Sequence, residues 1–180
     1  MVEDITVRRF PVRRRDTQAF DRVNRKLMDG KQISPKEEQI FVEEMVNSPQ
    51  LYEYMRDAQD EYGLYVFIPY MFGTTYYGMQ VCPEKSVLIP CFHDEAYVYM
   101  RLFRQAYVKA RGMIYNAMPE MELANRVYDF TTTEQICMGI GMDTKIQSDA
   151  DAFRKQFGID KPFILYAGRK DVGKNVHTLL

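Results

Sequence analysis

The chain has no tryptophan, only two histidines and three cysteines, and a net charge of only -1. The cysteines, Cys82, Cys91 and Cys137, lack a C-x-x-C spacing, so a disulfide framework or a cysteine zinc site does not fit. They indicate small buried side chains in a reducing, cytosolic compartment. Basic and acidic residues balance, so no global positive field recruits nucleic acid. Apolar runs are too short to cross a bilayer, and charges from Glu3 onward do not fit a signal peptide.

The composition is that of an ordinary globular protein. The chain has 180 residues, of which 46% are hydrophobic and 27% are charged. A chain of this size buries a core without metal or disulfide support. We therefore expect one domain, or one domain plus a piece of another.

Helical patterns occupy the first third of the chain. Ser34-Pro35-Lys36-Glu37 is a capping box with proline at the first helical position, and Ser48-Pro49 opens another helix in the same way. In the segment before them, residues 17–28, apolar residues recur at helical spacing. The predicted helices span residues 17–28, 34–46 and 48–62, after a short predicted strand at 5–12.

The pattern then changes to α/β. Two continuous apolar runs, 64–70 and 86–91, are typical of buried parallel strands. Their alternation with helical stretches predicts a parallel sheet with right-handed crossovers. Further strands are predicted at 113–117, 135–139 and 161–168, and further helices at 97–111, 119–128 and 148–157.

Both ends of the sequence have the features of a cut. The last predicted strand is followed by only the start of a crossover helix, and no G-x-G-x-x-G motif opens the sheet. We expect a larger two-domain protein. Its parts here are an incomplete N-terminal domain at 1–143, a linker with a short helix at 144–161, and the start of a C-terminal domain at 162–180.

His93 is the first candidate for chemistry. It follows the predicted strand 86–91 directly, and ligands of open α/β sheets bind beyond the carboxyl ends of strands. An imidazole there can donate to a sugar hydroxyl or an oxyanion, while Asp94 and Glu95 orient it or accept protons. Two alternatives stay open. The three residues could form a solvated cluster at a helix start, or a metal site, which adjacent residues seldom form.

A second candidate is the segment 168–175, Gly-Arg-Lys-Asp-Val-Gly-Lys-Asn. It follows a predicted strand and leads into a predicted helix, where backbone amides bind phosphate. Arg169 can contact a diphosphate in bidentate fashion, and Lys174 supplies a point charge. The glycine spacing of a P-loop is absent. The alternative is a charged turn.

Two other features have competing interpretations. The arginines Arg8, Arg9 and Arg13–Arg15 form either a nucleic-acid or lipid patch or, as the preferred interpretation, an edge strand protected by charge. The tyrosine-rich stretch Tyr62–Tyr77 is either a stacking surface or, preferably, part of the core.

Four segments resemble one known family. Phe163–Val176 closely resembles the opening of the C-terminal domain of group 1 retaining glycosyltransferases of the GT-B fold. Val87–Glu95, Ile114–Glu120 and Met138–Asp143 follow in that family's order. The resemblance extends over residues 10–180 and is strongest at 163–176.

The resemblance implies an α/β, Rossmann-like parallel-sheet domain of a truncated GT-B glycosyltransferase. It implies transfer of a hexose, with retention, from a nucleotide-diphospho sugar to a glycan or lipid-linked acceptor. Arg169 and Lys174 would neutralise the departing diphosphate, without metal or cofactor. His93 would contact the transferring sugar near its anomeric carbon. Candidates for the acceptor side of the cleft are Asp94, Glu95 and Glu120.

The sequence also departs from the family. The glycine-rich loop after the first strand and the acidic E-x7-E motif are missing, so we expect the chain alone to be inactive or very weak. The expected location is cytoplasmic, with peripheral contact at the inner face of the membrane. The runner-up is a non-catalytic α/β module that binds a protein partner or a nucleotide. A hydrolase at His93 ranks third, because no G-x-S-x-G-like elbow supplies a nucleophile.

Overall fold

Local capping chemistry sets where the first helices begin. In the computed structural model, which describes residues 5–170 and 174–179, Asp16 accepts a hydrogen bond from the Ala19 amide at 2.9 Å. The Ser34 hydroxyl and the Glu37 carboxylate each accept from the other's amide, which is the predicted capping box. The third helix begins as predicted, but it ends at Asp57, before a 3₁₀ turn.

Eleven helices and strands are described in this part of the chain, besides short 3₁₀ turns. None of these helices is long and apolar enough to cross a membrane. In order, they are α1 (Thr17–Met28), α2 (Pro35–Glu44), α3 (Pro49–Asp57), β1 (Tyr65–Phe67), α4 (Gly73–Gly78), β2 (Ser86–Leu88), α5 (Arg101–Tyr107), β3 (Gly112–Tyr115), α6 (Met118–Val127), β4 (Glu134–Cys137) and α7 (Ala150–Phe157).

The four strands form one parallel sheet in the order β1-β2-β3-β4. The predicted α/β class with a parallel sheet is therefore confirmed. Each strand is shorter than its apolar run, because only part of each run pairs with a neighbour. Two units are distinguished along the chain, Met1–Ile140 and Gly141–Leu180, and the sheet lies in the first.

One face of this sheet carries the core. Leu88, Met113 and Tyr115 point to it and are at most 1% exposed. They pack in a single apolar cluster with the buried side chains of α1, α2, α5 and α6. Burial of these side chains on one face fixes the strand register, because a shift of one residue would exchange the two faces of the strand.

The opposite face is apolar and partly exposed. Partners in register on parallel strands share a face, so Val66, Val87 and Gly112 lie on one side of the sheet. Four side chains of this face are more than half exposed to solvent: Val66 (55%), Ile68 (58%), Ile136 (53%) and Met138 (67%). The prediction that 64–70 is a fully buried strand is therefore wrong. In β1 only the alternate side chains Tyr65 and Phe67 are half-buried, because they face the core, whereas Val66 on the other face is exposed.

Two other predictions in the first unit need correction. Residues 5–12 form no strand beyond a single bridge at Ile5. The helix predicted at 97–111 is divided into a 3₁₀ turn, Ala96–Tyr99, and α5. The division has a physical cause, because the buried Glu38 carboxylate of α2 accepts hydrogen bonds from the amides of Arg101 and Leu102 at 2.9 and 3.0 Å. These bonds cap α5 from a neighbouring helix.

The second unit is built around α7. The Asp149 carboxylate caps its start, and Gly158 ends it with a φ of +62°. Phe153 packs on Phe157 one turn away and on Phe163 beyond the helix. The strand predicted at 161–168 is not formed within the described residues, and its side chain Ile164 is 91% exposed.

Candidate functional site

The candidate site lies at the carboxyl edge of the sheet, in the loop that follows β2. Pairing continues past the strands, since the Ile89 amide donates to the Phe67 carbonyl at 2.9 Å and the Tyr70 amide to the Pro90 carbonyl at 3.0 Å. The segment from Ile89 to Glu95, called here the His93 loop, thus leaves the sheet from a well-defined position. His93 is exposed on it. The sequence prediction of His93 at a strand's carboxyl end agrees with this arrangement.

Glu120 joins the His93 loop to the loop after β3. One of its carboxylate oxygens accepts from the Phe92 amide and the other from the Asn116 amide, both at 2.8 Å. The side chain is buried, in the first turn of α6, where the helix dipole favours a negative charge. Both oxygens are therefore occupied by backbone donors, and Glu120 acts as a link between two loops.

Asp94 holds the loop from its exposed side. Its carboxylate forms an ion pair with Arg126 of α6 at 2.9 Å. It also accepts a hydrogen bond from the Tyr99 hydroxyl at 2.6 Å, which raises the pKa of Tyr99. One carboxylate thus connects the loop to the following turn and to a neighbouring helix.

Glu95 anchors the end of the loop toward the core. The Tyr70 hydroxyl donates to its carboxylate at 3.4 Å. Burial raises the pKa of Tyr70, and the negative charge of Glu95 adds to that effect. Tyr70 is itself held by the Tyr107 hydroxyl, which donates to its carbonyl oxygen. Together with the Glu120 link, these contacts fix the backbone on both sides of His93.

Cys91 is a feature that the sequence did not reveal. It has a φ of 56°, in the left-handed region that few residues other than glycine adopt. The Asn116 side-chain amide donates to its Sγ atom at 3.5 Å. Burial raises the pKa of the Cys91 thiol, which favours its protonated form at neutral pH. No signal in a single sequence marks such a conformation.

The arrangement presents one imidazole on a fixed loop. Of the four predicted residues at this edge, Asp94, Glu95 and Glu120 use their carboxylates to hold the protein together. No group in the described part of the chain hydrogen-bonds to the His93 side chain. An exposed imidazole on a fixed backbone is suited to contact a hydroxyl or an anion of a bound molecule.

The predicted diphosphate-binding residues belong to the second unit. The Tyr166 hydroxyl donates to the Arg169 carbonyl at 2.9 Å. Lys174 is exposed and precedes Asn175, which has a φ of 51°. Residues 171–173 of the predicted motif lie outside the described residues. Over residues 5–170 and 174–179, no group of three or more His, Cys, Asp or Glu side chains could hold a metal ion.

Comparison with known proteins gives no match. No protein-family model, no curated protein and no solved structure is significantly similar to the chain.

Proposed function

We propose that this chain supplies the acceptor-side domain and the start of the donor-side domain of a retaining glycosyltransferase. The enzyme would move a hexose from a nucleotide-diphospho sugar to a glycan or lipid-linked acceptor. The resemblance of Phe163–Val176 and Val87–Glu95 to group 1 glycosyltransferases motivates this proposal. The consecutive parallel strands support its Rossmann-like, GT-B part.

The observation that carries the proposal is the exposed His93 on its fixed loop at the carboxyl edge of the sheet. Ligands of open parallel sheets bind at this edge. The imidazole would donate a hydrogen bond to a hydroxyl of the transferring hexose. Since the surrounding carboxylates hold the loop, His93 would meet the sugar without prior rearrangement, which lowers the entropic cost of positioning it.

The reaction requires stabilisation of a strongly charged leaving group. The bond between the sugar C1 atom and the diphosphate oxygen breaks, and its electron pair stays on the diphosphate. The acceptor oxygen bonds to C1, and its proton passes to the departing diphosphate. Arg169 and Lys174 would offset the negative charge that develops there, so that no metal ion is needed.

The proposed location is the cytoplasm, with peripheral contact at the inner face of the membrane. All three cysteines, Cys82, Cys91 and Cys137, are free thiols, which fits a reducing compartment. Nucleic acid is not a proposed partner.

Nuclear magnetic resonance of the two histidines tests the role of His93. The chain has only two imidazole C2–H signals, and His93→Gln assigns them. The titrants are UDP-glucose, GDP-mannose and ADP-glucose, each beside its nucleoside diphosphate. We expect one sugar-bearing donor to shift the His93 signal while its diphosphate alone does not.

Substitutions test the diphosphate contact separately. Arg169→Ala and Lys174→Ala should each weaken binding of the preferred diphosphate by about tenfold, the usual effect of losing a charge-assisted hydrogen bond. Lys145→Ala, in an exposed turn of the same unit, should leave binding unchanged. If no nucleotide or nucleotide sugar binds at millimolar concentration, the glycosyltransferase proposal fails and the non-catalytic binding module replaces it.

A further inference from the structure

A pocket of about 710 Å³ lies away from the His93 loop, at the free edge of β1. It is an open pocket, lined mainly by the segment 5–10, by α3 and by β1. Its size falls within the range of about 300–1,000 Å³ that is usual for small-molecule sites. Its walls are mainly apolar and aromatic, and include Phe10, Leu51, Tyr54, Met55, Tyr65 and Phe67.

The aromatic wall of this pocket is preformed. The hydroxyl oxygens of Tyr54 and Tyr62 are 2.6 Å apart, at hydrogen-bond distance. The ring of Phe10 packs on Tyr54 with centroids 5.3 Å apart, and the rings of Tyr62 and Tyr65 are 5.5 Å apart. Because the rings hold one another, a ligand would not have to order them on binding.

Arg8 is the one basic side chain among the residues that line the pocket. The Arg8 guanidinium lies 5.2 Å from the centroid of the Tyr54 ring, and a hydrogen bond with Tyr62 raises its pKa. No ion pair among the described residues includes Arg8. The Glu61 carboxylate also raises the pKa of Arg8, but it contributes less than the two tyrosines do.

Neighbouring arginines are engaged differently. Arg13 forms an ion pair with Glu44 at 2.7 Å, and the Arg15 guanidinium lies 4.3 Å from the centroid of the Phe20 ring. These contacts leave Arg8 as the pocket's recognition element for negative charge. The edge strand predicted for this arginine cluster is not formed beyond the bridge at Ile5, and Arg13 and Arg15 make other contacts.

The pocket shares residues with the partly exposed apolar face of the sheet. Val66 and Ile68 line the pocket, and their side chains belong to the exposed apolar face. The apolar part of a long ligand can therefore extend out of the pocket over this hydrophobic surface while the ligand stays bound. An acidic group at its other end would meet Arg8.

We propose that this pocket binds an anionic amphiphile, with its hydrocarbon chain against the aromatic wall and its phosphate or carboxylate on the Arg8 guanidinium. The inference stands apart from the proposed function, because it uses neither the His93 loop nor the second unit. A charge-assisted contact between guanidinium and phosphate fixes the orientation, and apolar contact supplies most of the affinity.

Calorimetric titration of the full chain tests this site with dodecyl phosphate below its micellar concentration. Dodecyl maltoside, which has the same chain and a neutral head, should bind at least tenfold more weakly. Inorganic phosphate should not bind measurably. Arg8→Ala should weaken dodecyl phosphate binding by about tenfold, whereas the neighbouring Arg9→Ala should not. Equal binding of the two detergents, or an unchanged affinity in Arg8→Ala, overturns the proposal.

A second variant and a second format complete the test. Val66→Glu changes an exposed position, so the protein should fold and yet lose dodecyl phosphate binding by charge repulsion. Sedimentation with phosphatidylglycerol vesicles, beside phosphatidylcholine vesicles, separates the two sources of the ligand. Arg8-dependent sedimentation with the anionic vesicles identifies a bilayer lipid, and binding of dodecyl phosphate alone identifies a free amphiphile. If the protein binds neither dodecyl phosphate nor the anionic vesicles, the proposed site is refuted.

Discussion

The buried carboxylate of Glu120 accepts a hydrogen bond from the amide of Phe92, 28 residues earlier in the chain, at 2.8 Å. Its second oxygen accepts from Asn116. One side chain therefore holds together the ends of two neighbouring strands, next to the exposed His93. The carboxylate occupies backbone donors that would otherwise be buried without partners.

Glu120→Gln should loosen the His93 loop. Glutamine offers one acceptor and one donor, so one of the two backbone amides would face an N–H group. We expect a loss of about 1.5–3 kcal/mol in the free energy of unfolding, since both bonds involve a charged acceptor. Hydrogen exchange should become faster at Phe92 and Asn116.

Glu122→Gln is the control for that change. Glu122 lies in the same helix and is exposed, so its substitution should alter stability by less than about 0.5 kcal/mol. Equal losses of stability in the two variants would show that Glu120 has no special linking role.

Gly73→Ala should destabilise the packing of α4 against α2. A Cβ atom at this position would collide with the backbone carbonyl of Val42 and lie 3.0 Å from that of Val46. Backbone atoms cannot move aside as a flexible side chain does, so we expect a loss of about 1–3 kcal/mol by urea unfolding. A Cβ atom at Gly63 would have no neighbour within 4 Å, so Gly63→Ala should leave the free energy of unfolding unchanged. Similar stabilities for both variants would contradict the close approach.

Alkaline pH should unfold the protein through its buried tyrosines. Burial raises the pKa of Tyr70, Tyr107 and Tyr128 above the ordinary value of 10.0. These hydroxyls stay protonated in the folded state, whereas they ionise in the unfolded chain above pH 10. These tyrosines therefore contribute their full stabilisation below pH 10. Above pH 10 the free energy of unfolding should fall by about 1.4 kcal/mol per pH unit for each of them.

Urea unfolding between pH 9 and pH 11.5 measures this slope. Tyr128→Phe removes one of these titrating groups, so its stability should fall less steeply with pH, even though the bond to the Val98 carbonyl is lost. A stability that does not change over this range would refute the account.

Acid should weaken the contact between α1 and α2. The Lys26 ammonium group and the capping bonds of Ser34 lower the pKa of Glu37 from 4.5 to about 2. Because the folded pKa is lower than the unfolded one, the contact stabilises the fold above pH 4.5. This stabilisation is lost as the pH falls toward 2.

Carboxyl carbon resonances give the Glu37 titration directly. In Lys26→Ala the pKa of Glu37 should rise, but stay below 4.5 because the Ser34 bonds remain. An unchanged Glu37 titration in this variant would show that the ion pair contributes nothing in solution, as many exposed pairs do.

Sequence reasoning succeeded where local chemistry decides the structure. The starts of the first helices follow from Ser34, Pro35 and Pro49, whose effects extend over a single turn. The parallel α/β class follows from the alternation of apolar runs and helices. The position of His93 in the loop after β2 also follows from the sequence, whereas its role as a site residue stays a prediction.

It failed where a distant partner decides. Residues 5–12 and 161–168 have the composition of strands, but, apart from the single bridge at Ile5, they do not pair with a strand in the described part of the chain. The linking role of Glu120 depends on amides that only the fold brings near. The pocket beside Arg8 likewise combines three segments that no local pattern connects.

The partly exposed apolar face of the sheet has a thermodynamic consequence. Its side chains, among them Ile68 and Met138, are already hydrated in the native state. Unfolding therefore wets less new apolar surface than in a protein whose sheet is covered on both sides. The heat-capacity increment should fall below the usual value of about 12–15 cal/mol/K per residue. A smaller increment flattens the stability curve, so folding free energy should vary gently between cold and warm conditions.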